Sequence, residues 1–565
     1  MKKLFLLFFF LQCLWYASVV KAQKANPIQL QEHVKTAIKK AYAASVLMWE
    51  YDTVQYSRMS AQFSGVVVSA DGEILSAAHV VMPGKTYQVM FPDGKQCIAR
   101  GLGRITIPPT FMLPDAAMLK IIGKGSWPFA QMGWSSSLKI NQPCISIAYP
   151  ESLEQRRPDV RFGHIAVLKN KYGFMESTCV MEPGDSGGPL FDLQGRLIGI
   201  HSGVEKLEDI NYEVPVDTYR KYHTALIRAE NYAAMPSDTN MVSTDPLANN
   251  TITAENPDGY LKKTANRFKA TCVKISSIVD GRTQTISGAV FSLEGIRVKE
   301  AFKDISIVLS KNSMIGDDPS ITLSNGKIVK ATVARRNRVN DLAILLPVSN
   351  IGQGINLQLP VDTLKINDLG NFLISIRPDS VYRGSVLGSV GVTLPKITSY
   401  GYLGAVTRQK EGLLLFTFIQ PKSAAETGGL LTGDQLLTVD EKTVNDELDV
   451  LKALQKFRTG DTTTMAIIRK GERMIKKIVL KYPPQKVTDH PADHFSGGKS
   501  IRKDGFENVF VHDARITPWE CGGPIFDAAG NFMGINIARL SRTSTIAIPA
   551  PAVKLFIATV TEAFN

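Results

Sequence analysis

The sequence predicts an all-β-dominated chain of closed antiparallel barrels: two copies of one unit, with a smaller α+β unit inserted in the second. Three observations carry this. Short β-rich runs recur at 63–69, 73–76, 86–91, 116–121, 143–148, 163–169 and 196–201, separated by turn signals such as Ala70-Asp71-Gly72 and Pro92-Asp93-Gly94. Four segments return in the same order: Ser64-Gly65-Val66-Val67 as Ser287-Gly288-Ala289-Val290, Pro114-Asp115-Ala116-Ala117 as Asn340-Asp341-Leu342-Ala343, Ser137-Leu138-Lys139-Ile140-Asn141 as Thr363-Leu364-Lys365-Ile366-Asn367, and Ser186-Gly187-Gly188-Pro189 as Cys521-Gly522-Gly523-Pro524. The stretch from Asp341 to Cys521 is far longer than that from Asp115 to Ser186, and the surplus falls at 397–485.

Composition bounds the rest. The 565 residues are 44% hydrophobic and 21% charged, with 44 Gly and 29 Pro, which excludes a disordered, collagen-like or coiled-coil chain. Residues 1–22 read as a secretory leader: Lys2-Lys3, then Leu4 to Leu11, then Val20-Lys21-Ala22 before Gln23. Export to the periplasm or beyond is therefore expected. The net charge of +13 is scattered and does not imply nucleic acid; its densest run, Arg335-Arg336-Asn337-Arg338, reads as a solvated loop.

Beyond the leader, Cys97, Cys144, Cys179, Cys272 and Cys521 are too widely spaced for a disulfide framework or a zinc site. Pro491 within Asp489 to His494 argues for a polar loop rather than a metal site. No metal or cofactor is implied.

Element by element, 28–49 shows helix-like spacing and predicts a leading helix. A first unit spans 23–228. Residues 229–258, without Lys or Arg and with Pro236, Pro246 and Pro257, read as a linker. The second copy takes 259–396 and 486–565 around the insert.

The chemistry concentrates in the first copy. A serine hydroxyl needs a base and an orienting third group to become a nucleophile. Gly184-Asp185-Ser186-Gly187-Gly188-Pro189 provides the serine, with glycines that let backbone N–H groups converge on an oxyanion. His79 follows an apolar strand and two alanines, and Asp115 stands at the mouth of an apolar strand. The loop also satisfies G-x-S-x-G, but the order His79, Asp115, Ser186 and the β-rich pattern do not suit an α/β-hydrolase.

These motifs resemble the chymotrypsin-like serine proteases, and with the inserted unit the HtrA/DegP branch. The resemblance implies a double β-barrel, a His79–Asp115–Ser186 triad, an oxyanion hole from the N–H groups of Gly184 and Ser186, and polypeptide substrates. It also maps a specificity pocket onto Val180, Met181, His201, Ser202 and Gly203, which lacks an acidic base for Lys or Arg. Aliphatic residues before the cut are favoured over acidic ones that His201 would hold. The HtrA loop usually carries Asn where Asp185 stands. Trypsin-like zymogens use an aspartate there to bind a new N-terminus, but no suitable start precedes the first unit.

In the second copy Ser313 falls at the histidine position, Asp341 is kept and Cys521 replaces the serine, which predicts a degenerate, catalytically dead site. The insert resembles a PDZ domain, with Tyr402, Leu403, Gly404 and Ala405 as the loop for the C-terminal carboxylate of an apolar peptide. Its place inside the second barrel departs from the HtrA arrangement. The function expected is an exported serine endopeptidase of protein quality control. The alternative is a binding scaffold or holdase built on the PDZ unit and the degenerate copy. A homo-oligomer is compatible with either.

Overall fold

Residues 45–48 (Ser-Val-Leu-Met) are all buried, so this stretch needs cover on both faces and pairs as a strand instead of continuing the preceding helix. The computed structural model therefore ends the leading helix at Ala41 (Pro27–Ala41) and opens the first barrel with Ser45–Asp52, a correction to the helix expected over 28–49. It describes residues 24–25, 27–107, 114–153, 155–236, 244–246, 253–254, 258–279, 281–293, 306–356, 361–379, 381–484 and 489–561. The expected leader lies outside these.

Six antiparallel strands form the first ring: Ser45–Asp52, Phe63–Val67, Glu73–Ser76, Ala116–Ile121, Gln96–Ile105 and Thr86–Met90, closed by pairing of the last with Ser45–Asp52. A second closed barrel follows, in the order Asp159–Val167, Met175–Ser177, Asn211–Pro215, Leu197–Val204, Pro189–Asp192, Pro143–Ala148. The second copy repeats both rings. Cys272–Val279, Arg282–Ser292, Ser306–Lys311, Leu342–Pro347, Ile328–Asn337 and Asp317–Thr322 close the first. Phe372–Ile376, Tyr382–Leu394, Phe506–His512, Thr545–Pro549, Phe532–Arg539 and Pro524–Asp527 close the second. The inserted unit leaves between Tyr382–Leu394 and Phe506–His512 and forms its own sheet with helix Glu447–Gln455.

One apolar core runs through both copies. The leading helix lies between them: a Cβ on Gly370 would meet Ile38 at 2.5 Å, and Phe372 N–H donates to Gln31 Oε1 at 2.8 Å. Strand Asp159–Val167 packs along Tyr382–Leu394. Half-buried Asp513 accepts from Phe162 N and Val386 N, one from each copy. The segment read as a linker is tied to the first unit at two points. Asn231–Tyr232 pairs with Gln96–Ile105, and the Asp245 carboxylate accepts from Arg196 Nη1 at 3.1 Å and Ser137 Oγ at 2.8 Å. The five cysteines among the described residues are free thiols.

Candidate active site

Strand Glu73–Ser76 delivers His79 to a short turn in which Ala77 and Ala78 are fully buried; larger side chains would push that turn off the barrel. Tyr219 Oη donates to Ser76 O at 2.8 Å, and Arg104 Nη1 bridges the carbonyls of Ala78 and Val81. Asp115, buried at the start of Ala116–Ile121, accepts His79 N at 2.9 Å on Oδ1 and faces His79 Nδ1 at 2.8 Å through Oδ2. Ser202 Oγ donates the carboxylate's third bond, on Oδ2 at 2.6 Å. Burial opposes charge on both partners. The bond and the charge across the pair outweigh it, so the His79 pKa is raised and that of Asp115 lowered.

Ser186 sits across this end of the strand. Its carbonyl accepts Ser64 N at 2.9 Å, and the Gly187 N–H donates to His201 O at 2.8 Å. A Cβ on Gly187 would lie 2.0 Å from Ser76 Oγ, so the loop packs flat against the strand that leads to His79. Among the described residues Ser186 Oγ has no hydrogen-bond partner, and neither do the N–H groups of Gly184 and Ser186.

Their direction follows from the planar peptide, which sets C=O and N–H on opposite sides. Pro183 O accepts from Glu151 N and Asp185 O from Gly188 N, both at 2.8 Å, so the N–H of Gly184 and that of Ser186 point away from those bonds. Gly184 holds φ +95°, where a Cβ would meet Tyr149 O at 2.5 Å.

The loop is braced from below. Asp185 forms a bidentate pair with Arg161, Nη1 to Oδ2 at 2.7 Å and Nη2 to Oδ1 at 2.6 Å, and both side chains are buried. Arg161 Nη1 also donates to Val180 O, and Asp185 Oδ2 accepts Glu182 N. Thus a cation from strand Asp159–Val167 engages the aspartate that departs from the HtrA pattern. No motif marks Arg161, which explains why the sequence did not reveal it.

The second copy reaches the same loop. Thr543 Oγ1 donates to Glu182 Oε2 at 2.9 Å, while Arg542 donates to the carbonyls of Glu205, Leu207 and Glu208. Ser389 Oγ donates to Asp159 Oδ1 at 2.8 Å, and Asp159 Oδ2 lies 3.6 Å from Arg161 Nε.

The residues expected to form a specificity pocket lie together behind Ser186, but two play other parts. The Ser202 hydroxyl is spent on Asp115 rather than facing a substrate. His201 is fully buried, with Nε2 2.7 Å from Ser146 Oγ, and burial followed by the charge of Arg161 pushes its pKa down to about 3. Val180 and Met181 are almost wholly buried, and Gly203 pairs with Tyr212.

In the second copy Ser313 takes the place of His79 bond for bond: its N–H donates to Asp341 Oδ1 at 2.7 Å and its Oγ to Oδ2 at 2.8 Å. Lys311 and Arg502 also pair with Asp341. Cys521 is fully buried, which raises its thiol pKa, and Ser500 Oγ lies 3.9 Å away.

In the insert, Tyr402 N–H is committed to Lys481 O, so it is not available to a ligand, contrary to expectation. Tyr402 O accepts from Lys481 N and Leu403 O from Ala425 N, which turns the N–H groups of Leu403 and Gly404 outward by the same peptide geometry. Ala405 opens Ala405–Lys410, an edge strand of the sheet. Beside it, helix Glu447–Gln455 exposes Leu448 and Leu451, whereas Val450 and Ala453 face the core. A leucine stripe alone cannot tell a core face from a groove wall.

Known proteins match in the same places. A trypsin-like peptidase domain matches residues 63–200 and a PDZ domain residues 401–478. A probable periplasmic serine endoprotease, DegP-like, of Pseudomonas fluorescens is 30% identical over 164 residues, 27% of this chain and 32% of its own length. One from Bartonella henselae is 24% identical over 411 residues, 70% of each chain. The putative serine protease HhoB of Synechocystis is 27% identical over 166 residues, 38% of its length. The chain thus spans about a third of the length of the Pseudomonas and Synechocystis relatives and 70% of that of the Bartonella one. Among solved structures, the HtrA-type protease AlgW with tripeptide covers 80% of this chain at 16% identity and a TM-score of 0.30. The chain is HtrA-like in its combination of a trypsin-like peptidase domain with a PDZ domain.

Proposed function

We propose that the chain is an exported serine endopeptidase that cuts polypeptides in protein quality control, with His79, Asp115 and Ser186 as its triad. The single observation that carries this reading is the bonded His79–Asp115 pair beside a serine loop with two uncommitted N–H groups. Ser186 Oγ attacks the scissile carbonyl carbon while its proton passes to His79 Nε2. The oxyanion takes the N–H groups of Gly184 and Ser186; losing one such donor costs about 10²- to 10³-fold in kcat. His79 then gives the proton to the leaving amine nitrogen as the C–N bond breaks. Water, deprotonated by His79, hydrolyses the acyl ester. Asp115 holds the tautomer with Nδ1 protonated.

The second copy is read as a non-catalytic brace, since a hydroxyl stands where the base should be and its cysteine is buried as a thiol. The insert is read as a peptide-binding module: the outward N–H groups of Leu403 and Gly404 suit a terminal carboxylate, and the edge strand suits strand addition. Aliphatic residues are expected before the cut, and a neutral His201 would give an acidic side chain no counter-charge. The names of the DegP-like relatives support the periplasm as destination.

The test is casein cleavage by two variants. Ser186→Ala should abolish turnover and Cys521→Ala should leave it nearly unchanged; the reverse pattern would move catalysis to the second copy.

A further inference from the structure

Arg335-Arg336-Asn337-Arg338 is solvated as expected, but its first three residues end strand Ile328–Asn337 rather than forming a loop, and Arg338 stands beside the inserted unit. There a cavity of about 240 Å³ opens between that unit and the second copy. Four arginines line it: Arg336, Arg338 and Arg502 from the second copy and Arg458 from the insert. Ser313, Ser399, Thr459 and Tyr482 also line it and no Asp or Glu does, although the first three hydroxyls already donate to Asp341 Oδ2, Asp504 O and the carbonyls of Tyr400 and Lys481. We propose that this cavity binds a small phosphate-class oxyanion that bridges the insert to the second copy.

The balance of charge favours an anion. Asp341 is shared by Lys311 and Arg502, and Asp461 pairs with Arg338. Asp504 serves the backbone N–H groups of residues 397–399, and Lys396 and Lys503 add cations nearby. Asp317 lies near Arg336, and Arg458 shares Asp461, Asp341 and Asp504 with the cations already named.

Donors are left over as well. A guanidinium carries five N–H groups. Arg336 commits Nη1 alone, to Asn312 and Ile315, and Arg458 commits Nη1 alone, to Gly505 O. Arg502 is 6% exposed and its Nε has no partner. Planar forks of this kind match the oxygens of a phosphate in pairs. The volume fits phosphate or pyrophosphate but is below the roughly 300 Å³ at which pockets for larger ligands begin. Such a group would stand at the edge of the lost catalytic centre of the second copy, against Ser313.

The probe is inorganic phosphate or pyrophosphate, titrated calorimetrically at low ionic strength into the full chain carrying Ser186→Ala to prevent self-cleavage. Saturable binding of one ion per chain is expected, tighter for pyrophosphate. Arg338→Gln and Arg458→Gln should each weaken it roughly ten-fold, the loss of one charge-assisted contact. Arg338 is exposed, so its variant should fold as the parent does, and Arg100→Gln on the first barrel should bind unchanged. Vesicles whose lipid carries a phosphate monoester form a second arm. Arginine-dependent capture there would assign the anion to a headgroup, and binding of the free ions alone to a soluble source. No saturable uptake at about 10 mM of either ion, ten times a millimolar dissociation constant, and no capture by the vesicles would overturn the proposal. Binding that survives both arginine substitutions together would do the same.

Discussion

At Asp115 three donors converge on one carboxylate, and this sets how the site should respond to pH. The His79 pKa is raised above its ordinary value near 6.5, and only the neutral ring can accept the serine proton. kcat/KM should therefore fall as pH drops through an inflection above about 6.5. An inflection at or below that value would show that the Asp115 contact does not lift the ring in solution. Asp115→Asn should lower kcat by about 10⁴-fold, since an amide favours the wrong tautomer. The buried Arg161–Asp185 pair makes a different prediction. Removing one partner of such a pair costs about 3–5 kcal/mol, whereas replacing both with apolar groups is often neutral. Asp185→Leu should therefore lower the denaturant midpoint sharply, and Arg161→Met/Asp185→Leu should recover much of the loss. Additive effects in that cycle would show that the pair is not coupled.

Among the elements, the loop proposed to carry the nucleophile stands out in the sequence because its pattern is local: six consecutive residues hold the serine and its glycines. Arg161, Ser202 and Thr543 do not, because each acts across the fold on a residue with which it shares no motif. The end of the leading helix was misread since the apolar spacing of 28–41 continues into 45–49, where burial on both faces makes a strand. For the insert, the sequence singles out residues 402–405 by motif, whereas the exposure of Leu448 and Leu451 carries no such mark. A peptide with a free apolar C-terminus should bind the full chain, and amidation should remove much of the affinity by deleting the captured charge. Leu451→Asp should weaken the free peptide too, because that exposed side chain lies on the helix beside the edge strand where a peptide would add. Equal binding of both peptides would favour a rigid spacer.

On the scale of the whole molecule, the double-barrel repeat shows in the sequence, but the way the copies meet does not. The second copy touches the first where the nucleophile loop is held, through Thr543 on Glu182, Arg542 on 205–208 and Ser389 on Asp159. Thr543→Val should thus lower kcat roughly ten-fold with little change in KM or melting temperature, the scale of one bond to a charged group. Thr543→Ser should restore the rate, and an unchanged kcat in the valine variant would remove the second copy from the control of the site. The central claim is that Ser186 is an activated nucleophile. It is tested most directly by treating the intact protein with a fluorophosphonate and locating the adduct by peptide mass spectrometry. One adduct per chain on Ser186, abolished by Ser186→Ala and strongly slowed by His79→Ala, is the result expected. No adduct on Ser186 in the folded chain, or one on Cys521, would contradict it.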